Sequence, residues 1–72
     1  MASVDISLYK ETISKTFTLV ESIDEIANTM IYYSGHSMAY LQLGAINQEQ
    51  YNEIEAFIEE KGRFHIELFL LY

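Results

Sequence analysis

The sequence predicts an all-α fold: an antiparallel helical hairpin whose first arm is long or broken. Three observations carry that prediction. The 72 residues hold no proline, so nothing in the chain interrupts a helix by removing a backbone N–H. Apolar residues recur at steps of three and four through two long segments, the spacing of one face of an α-helix. Between those segments, LGAINQEQY joins a glycine to a capping pair, the pattern of a helix end followed directly by a helix start.

The first arm is expected over about residues 4–43 of the sequence. Ile6, Tyr9, Ile13, Phe17, Val20, Ile23, Ala27, Met30, Ser34, Met38 and Leu41 would share one continuous face. Ser3 is the expected cap, with Asp5 favouring the positive end of the helix dipole. The middle of this arm also carries a β signal. MIYYSGHSMAYLQL is rich in β formers around a Ser-Gly pair, and FHIEL further on alternates. The helical stripe continues through the first of these at Met30, Ser34, Met38 and Leu41, so helix is the reading adopted.

Residues 44–47 form the expected turn. Gly44 suits the position after a helix, where a left-handed backbone is cheap only for glycine. Asn47 and Gln50 have capping-box spacing and would start the second arm. That arm covers about residues 48–71. Tyr51, Ile54, Ile58, His65, Leu68 and Tyr72 lie along one of its faces, with Glu55, Glu59, Glu60, Arg63 and Glu67 on the other. Gly62 costs about 1 kcal/mol inside a helix and marks a close contact or a bend.

The arms differ in length. Folding them about the turn sets Tyr72 opposite Leu19, so the residues before it either project as an overhang or turn back as a separate helix. Ser22-Ile23-Asp24-Glu25 has capping-box spacing and permits a break near residue 21.

Composition bounds the function. Eleven acidic residues against four basic ones give a net charge of −7, which disfavours nucleic acid and anionic membrane surfaces. MASVDISLYK is not a secretory signal, and no stretch reaches the ~20 apolar residues of a membrane helix. The expectation is a soluble, acidic, cytoplasmic domain. So small a chain buries a marginal core, and with no cysteine it cannot use disulfides to compensate. Association with another chain is the compensation left open.

No catalytic, cofactor-binding or metal-binding residue is assigned, and no enzyme is expected. His65 falls on the apolar face, where a structural role is the simpler reading, and His36 sits in SGHS with no ligand set. Glu55, Glu59 and Glu60 read as a solvated face. Ser34 and Ser37 have no acid–base partners around them.

The apolar residues outnumber what one hairpin can bury, since each arm hides a stripe of only ~100°. Phe57, Phe64 and Leu71 form a second stripe about 80° from the first. Ile66, Phe69 and Leu70 carry hydrophobicity almost around the last turns. Met30–Tyr33 and Met38–Leu41 do the same in the first arm. FHIELFLLY, Phe64 to Tyr72, would therefore be covered by another protein chain. A second copy would cover it as well as a different partner.

From Leu41 to Tyr72, LQLGAINQEQYNEIEAFIEEKGRFHIELFLLY resembles the YscE/SsaE-type proteins, small co-chaperones of bacterial type III secretion systems. The resemblance lies in a helix ending in a glycine turn, a polar pair, and Gln50-Tyr51 opening an amphipathic helix with an apolar end. It implies a cytoplasmic helical hairpin that binds and stabilises a tetratricopeptide-like, helical-repeat chaperone. That pair in turn holds the needle subunit unpolymerised before export. Carried onto this chain by helical geometry, the partner-binding set would be Tyr33, Tyr40, Phe57, Phe64, Leu68, Leu71 and Tyr72. The alternative is a small acidic phage or plasmid inhibitor that occupies a basic site on a bacterial enzyme.

Overall fold

A computed structural model describes residues 3–71, and among them every regular element is helical. Helix α1 spans Ile6–Thr18, α2 Ile23–Gln42 and α3 Gln48–Leu71. The fold is all-α, and its second and third helices form the hairpin. The first arm is broken between Thr18 and Ile23, and α1 folds back as a third helix. The backbone N–H of Val4 donates to the Ala45 carbonyl at 3.4 Å, which pins the start of α1 beside the α2–α3 turn. Phe17, at the other end of α1, stacks on His65 of α3 with ring centroids 5.6 Å apart. Helix α1 thus runs alongside α3 and opposite to α2. The result is an up-down-up bundle of 44 × 17 × 16 Å.

Local chemistry places each boundary. Asp5, rather than Ser3, caps α1, its carboxylate accepting the Leu8 N–H at 3.1 Å. Ser22 caps α2 by accepting the Glu25 N–H at 3.2 Å, while the Glu25 carboxylate reaches back to the Glu21 N–H. At the end of α2, Gly44 takes a φ of +76°. The Ala45 N–H bonds to the Tyr40 carbonyl and the Gly44 N–H to that of Leu41, the Schellman pattern. Asn47 and Gln50 then exchange reciprocal bonds, 2.8 Å to the Gln50 N–H and 2.9 Å from the Asn47 N–H, completing a capping box.

The break at residues 19–22 resets the helical phase, so the continuous face expected along the first arm does not exist. In α2 the buried positions are Ile26, Tyr33 and Ser37. They lie one residue away from Ile23, Ala27, Ser34 and Met38 of the expected stripe, so α2 turns a further face, about 100° round, toward α1. Met30, Ser34 and Leu41 of that stripe stay half-buried, Met30 against Gly62 and Ser34 bonded to Glu55. Ile23, Ala27 and Met38 are accordingly exposed. The core comprises Ile13 and Phe17 of α1, Ile26 and Tyr33 of α2, Ile46 of the turn, and Ile54 and Ile58 of α3.

A chain of polar contacts runs through the α1–α2 side of this core. The Tyr33 hydroxyl is 2.6 Å from Thr16 Oγ1. The Tyr9 hydroxyl donates to the Tyr33 carbonyl at 3.2 Å and lies 3.4 Å from Ser37 Oγ, which donates to the same carbonyl. These bonds let tyrosine and serine sit inside without leaving their polar atoms unpaired.

Burial pushes the Tyr9 phenol above its ordinary pKa of 10.0, with the Ser37 contact opposing and the neighbouring Tyr40, Tyr33 and Glu55 adding. A phenol whose pKa is raised on folding holds its proton longer in the folded chain than in the unfolded one. Its contribution is intact below pH 10 and is lost as pH rises from there through the folded value. Stability is expected to fall with pH in that alkaline window, and Tyr9→Phe to fall less steeply. Urea midpoints measured on both chains from pH 8 to 11 check this; parallel curves would exclude Tyr9 as the source.

Gly62 is buried where α2 and α3 cross, and a Cβ built there would collide with the Met30 side chain. The glycine marks a close contact. Gly62→Val is expected to destabilise the fold by about 2 kcal/mol through overpacking. Adding Met30→Ala should recover part of that loss in the same denaturation measurement. No recovery would mean that the crowding lies elsewhere.

Candidate partner-binding surface

The last three turns of α3 are apolar on more sides than the bundle covers. Ile54, Ile58 and Gly62 face the core, His65 stacks on Phe17, and Ile66 packs against the buried cluster. That leaves a second row at intervals of seven residues, Phe57, Phe64 and Leu71, which a helix brings to nearly the same side. Of these, Phe57 has an α1 side chain over its ring. Phe57 is half-buried, with Lys10 of α1 and Lys61 of α3 at 5.5 and 5.4 Å from its ring centroid. Phe64 is 54% exposed and Leu71 77%. Leu68 lies beside this row and lines a groove with Phe17 of α1, Val20 of the segment after it, and His65 and Phe69 of α3. Apolar groove and apolar row are thus continuous through Leu68.

Two of the expected contact residues lie elsewhere. Tyr33 is 6% exposed and bonded through its hydroxyl to Thr16. It belongs to the core, because the phase of α2 turns it inward toward α1. Tyr40 is half-buried on the same side, with its ring edge-on to Tyr9 at 5.5 Å. Phe57, Phe64, Leu68 and Leu71 do fall on one side of α3, and Tyr72 lies outside the described residues. Leu70, 72% exposed, was not in the expected set and extends the apolar end around the helix. Its signal was present in the sequence as hydrophobicity on every side of FHIELFLLY.

Acidic and basic side chains both border the row, Glu60 and Glu67 with Lys61 and Arg63 around Phe64. The four basic side chains are all engaged within the chain. Lys10 pairs with Glu53 at 2.8 Å, Lys15 with Glu11 at 3.2 Å and Arg63 with Glu59 at 3.0 Å, and Lys61 lies over Phe57. Glu60 and Glu67 are exposed beside Phe64 and take part in none of these pairs.

Glu55 corrects the expectation of a wholly solvated acidic face. It is half-buried at the α2–α3 contact, where Oε2 accepts the Ser34 hydroxyl at 3.0 Å and Oε1 is buried without a partner. His36 sits within α2, its Nδ1 2.9 Å from the Tyr32 carbonyl and its ring against Tyr32. His65 is held by Phe17 of another helix, and His36 by its own helix. Among the described residues, no helix is long and apolar enough to cross a membrane.

No protein-family model matches the chain, and no curated protein or solved structure matches it.

Proposed function

We propose that this chain is a small co-chaperone of a bacterial type III secretion system. It would act in the cytoplasm by binding and stabilising a tetratricopeptide-like chaperone that holds the needle subunit unpolymerised. The observation that carries the reading is the pair of exposed residues Phe64 and Leu71 on α3, with the half-buried Leu68 beside them. Each large apolar side chain left in water forgoes about 1.5–3 kcal/mol of burial free energy, which a partner surface recovers. The resemblance of residues 41–72 to YscE/SsaE-type proteins supplies the partner class. Helix α1 adds a third element to the hairpin and leaves that side of α3 open.

Affinity purification from the native bacterium, with the captured proteins identified by mass, tests the reading. A helical-repeat chaperone recovered together with a needle subunit would support it. Recovery of the chain alone as a stable dimer would remove it.

The charge favours a second reading, an acidic inhibitor of a basic enzyme site. Three of the eleven carboxylates pair with a cation, and most of the rest lie exposed. That reading requires binding that weakens steeply with salt and survives Phe64→Asp. The co-chaperone reading requires the opposite response to Phe64→Asp.

A further inference from the structure

We propose that the open row on α3 is a docking seam for a basic amphipathic helix of a partner chain, packed on the side of α3 that α1 leaves free. The inference rests on the reading of this face as a protein interface and adds the chemistry of what it binds.

The spacing comes first. Phe57, Phe64 and Leu71 recur every seven residues, and Glu53, Glu60 and Glu67 recur at the same interval. On a helix the second row lies roughly 40–60° to one side of the first. An apolar seam with a charged row along its edge is the arrangement by which packed helices choose partners, since the flanking charges meet those of the facing helix.

The occupancy of that seam changes along its length. In its first part α1 provides both kinds of contact: Lys10 lies over the Phe57 ring and pairs with Glu53 at 2.8 Å. One basic side chain of a neighbouring helix thus satisfies one apolar position and one acidic position together. Farther along, α1 lies to another side of α3, where Phe17 stacks on His65. The next two repeats, Phe64 with Glu60 and Leu71 with Glu67, show the same residue types without a cation from α1. Phe64 and Leu71 are exposed, and neither Glu60 nor Glu67 takes part in an ion pair. The Lys10 contact is the pattern that an incoming helix would repeat, with Lys or Arg facing Glu60 and Glu67 and apolar side chains facing Phe64, Leu68 and Leu71.

Charge also argues against a second copy as the occupant. Arg63 is bonded to Glu59 and Lys61 lies over Phe57, so among the described residues a twin would have to give up one of these contacts to meet Glu60 or Glu67. Packed antiparallel, two copies would set their Glu60–Glu67 edges against each other and join two chains of charge −7.

The probes are two synthetic helical peptides with the same leucine heptads, one flanked by lysine and one by glutamate. Their affinity for the intact chain is read by fluorescence anisotropy at low and high salt. The lysine peptide is expected to bind about tenfold more tightly, from two exposed ion pairs gained in one case and two like-charge contacts suffered in the other. Salt should narrow that ratio.

Glu60→Gln with Glu67→Gln should bring the ratio to within about threefold. The paired change at a remote carboxylate, Glu11→Gln, should leave it unchanged, and Phe64→Ser should weaken both peptides. Equal affinity for the two peptides, a ratio insensitive to Glu60 and Glu67, or no binding of either overturns the proposal. So does a chain found by sedimentation to be a dimer that Phe64→Ser dissociates. If the native chaperone is captured but its binding ignores Glu60, Glu67 and salt, the co-chaperone reading stands and this seam chemistry fails. If the lysine peptide binds as described and no chaperone is captured, the seam stands and the co-chaperone reading fails.

Discussion

Phe17→Ala is expected to lower the stability of this chain by about 3–5 kcal/mol, the cost of emptying a fully buried phenylalanine site. The Phe17 side chain is wholly buried and stacks on His65 with an interplanar angle of 19°. Domains hold roughly 0.05–0.15 kcal/mol per residue, so a chain of 72 residues has only about 4–11 kcal/mol to lose. One substitution should therefore consume a large part of it.

The loss should also have a location. Helix α1 has 13 residues, near the length at which an isolated helix is marginal in water. Ile13 and Phe17 are its two buried anchors. Without Phe17 its end should open before the α2–α3 hairpin does. A urea denaturation curve gives the total, and hydrogen exchange resolved along the chain gives the place. Early exchange confined to α1 is expected. A change below about 1 kcal/mol, comparable to that from the exposed Leu8→Ala, would mean that α1 does not hold the core together.

Phe64→Asp together with Leu68→Asp is expected to abolish the partner complex. Interface anchors of this kind cost about 2 kcal/mol or more each when removed, so the pair should weaken binding by well over a hundredfold. The two positions differ in what else they do. Phe64 is more than half exposed, so its aspartate should leave the helix content and melting temperature of the free chain nearly unchanged. Leu68 is half-buried in the groove with Phe17 and Val20, and its aspartate should also cost stability. The single Phe64→Asp chain is therefore the decisive one. If it is folded and still binds its partner with unaltered affinity, the contact surface is not on this side of α3.

Several features were legible from residue types alone because they depend on neighbours in sequence. The glycine turn and the Asn47–Gln50 capping box involve atoms only a few residues apart, and both occur where the pattern places them. The core face of α3 follows from its spacing, since no break interrupts the phase between Ile54 and His65. The apolar excess of the last turns is likewise a local property. It appears as Phe64, Leu70 and Leu71 left in solvent.

The first arm was legible only in part. Ser22 announces a capping box, but whether the helix stops there depends on what α1 gains by folding back. That gain is the burial of Ile13 and Phe17 against α2 and α3, and no window of sequence contains it. Once the chain turns, the phase of α2 restarts. Tyr33 moves to the interior, and Ile23 and Met38 move out. Ser37 becomes a buried residue because Tyr9 and the Tyr33 carbonyl meet it there.

Glu55 follows the same logic from the other helix. Its position between core and solvent is set by Ser34, 21 residues away.

By itself, then, the sequence determined that the chain is helical, where its turn and the capping box of α3 lie, which face of α3 is inward, and that its end carries more apolar surface than a hairpin can hide. Each of these follows from backbone hydrogen bonding and side-chain periodicity over a few residues. Only the tertiary structure decided that α1 folds back, along which side of α3 it packs, and therefore which apolar residues remain uncovered. Those outcomes depend on contacts between residues far apart in the chain, where burial of whole side chains outweighs any local preference.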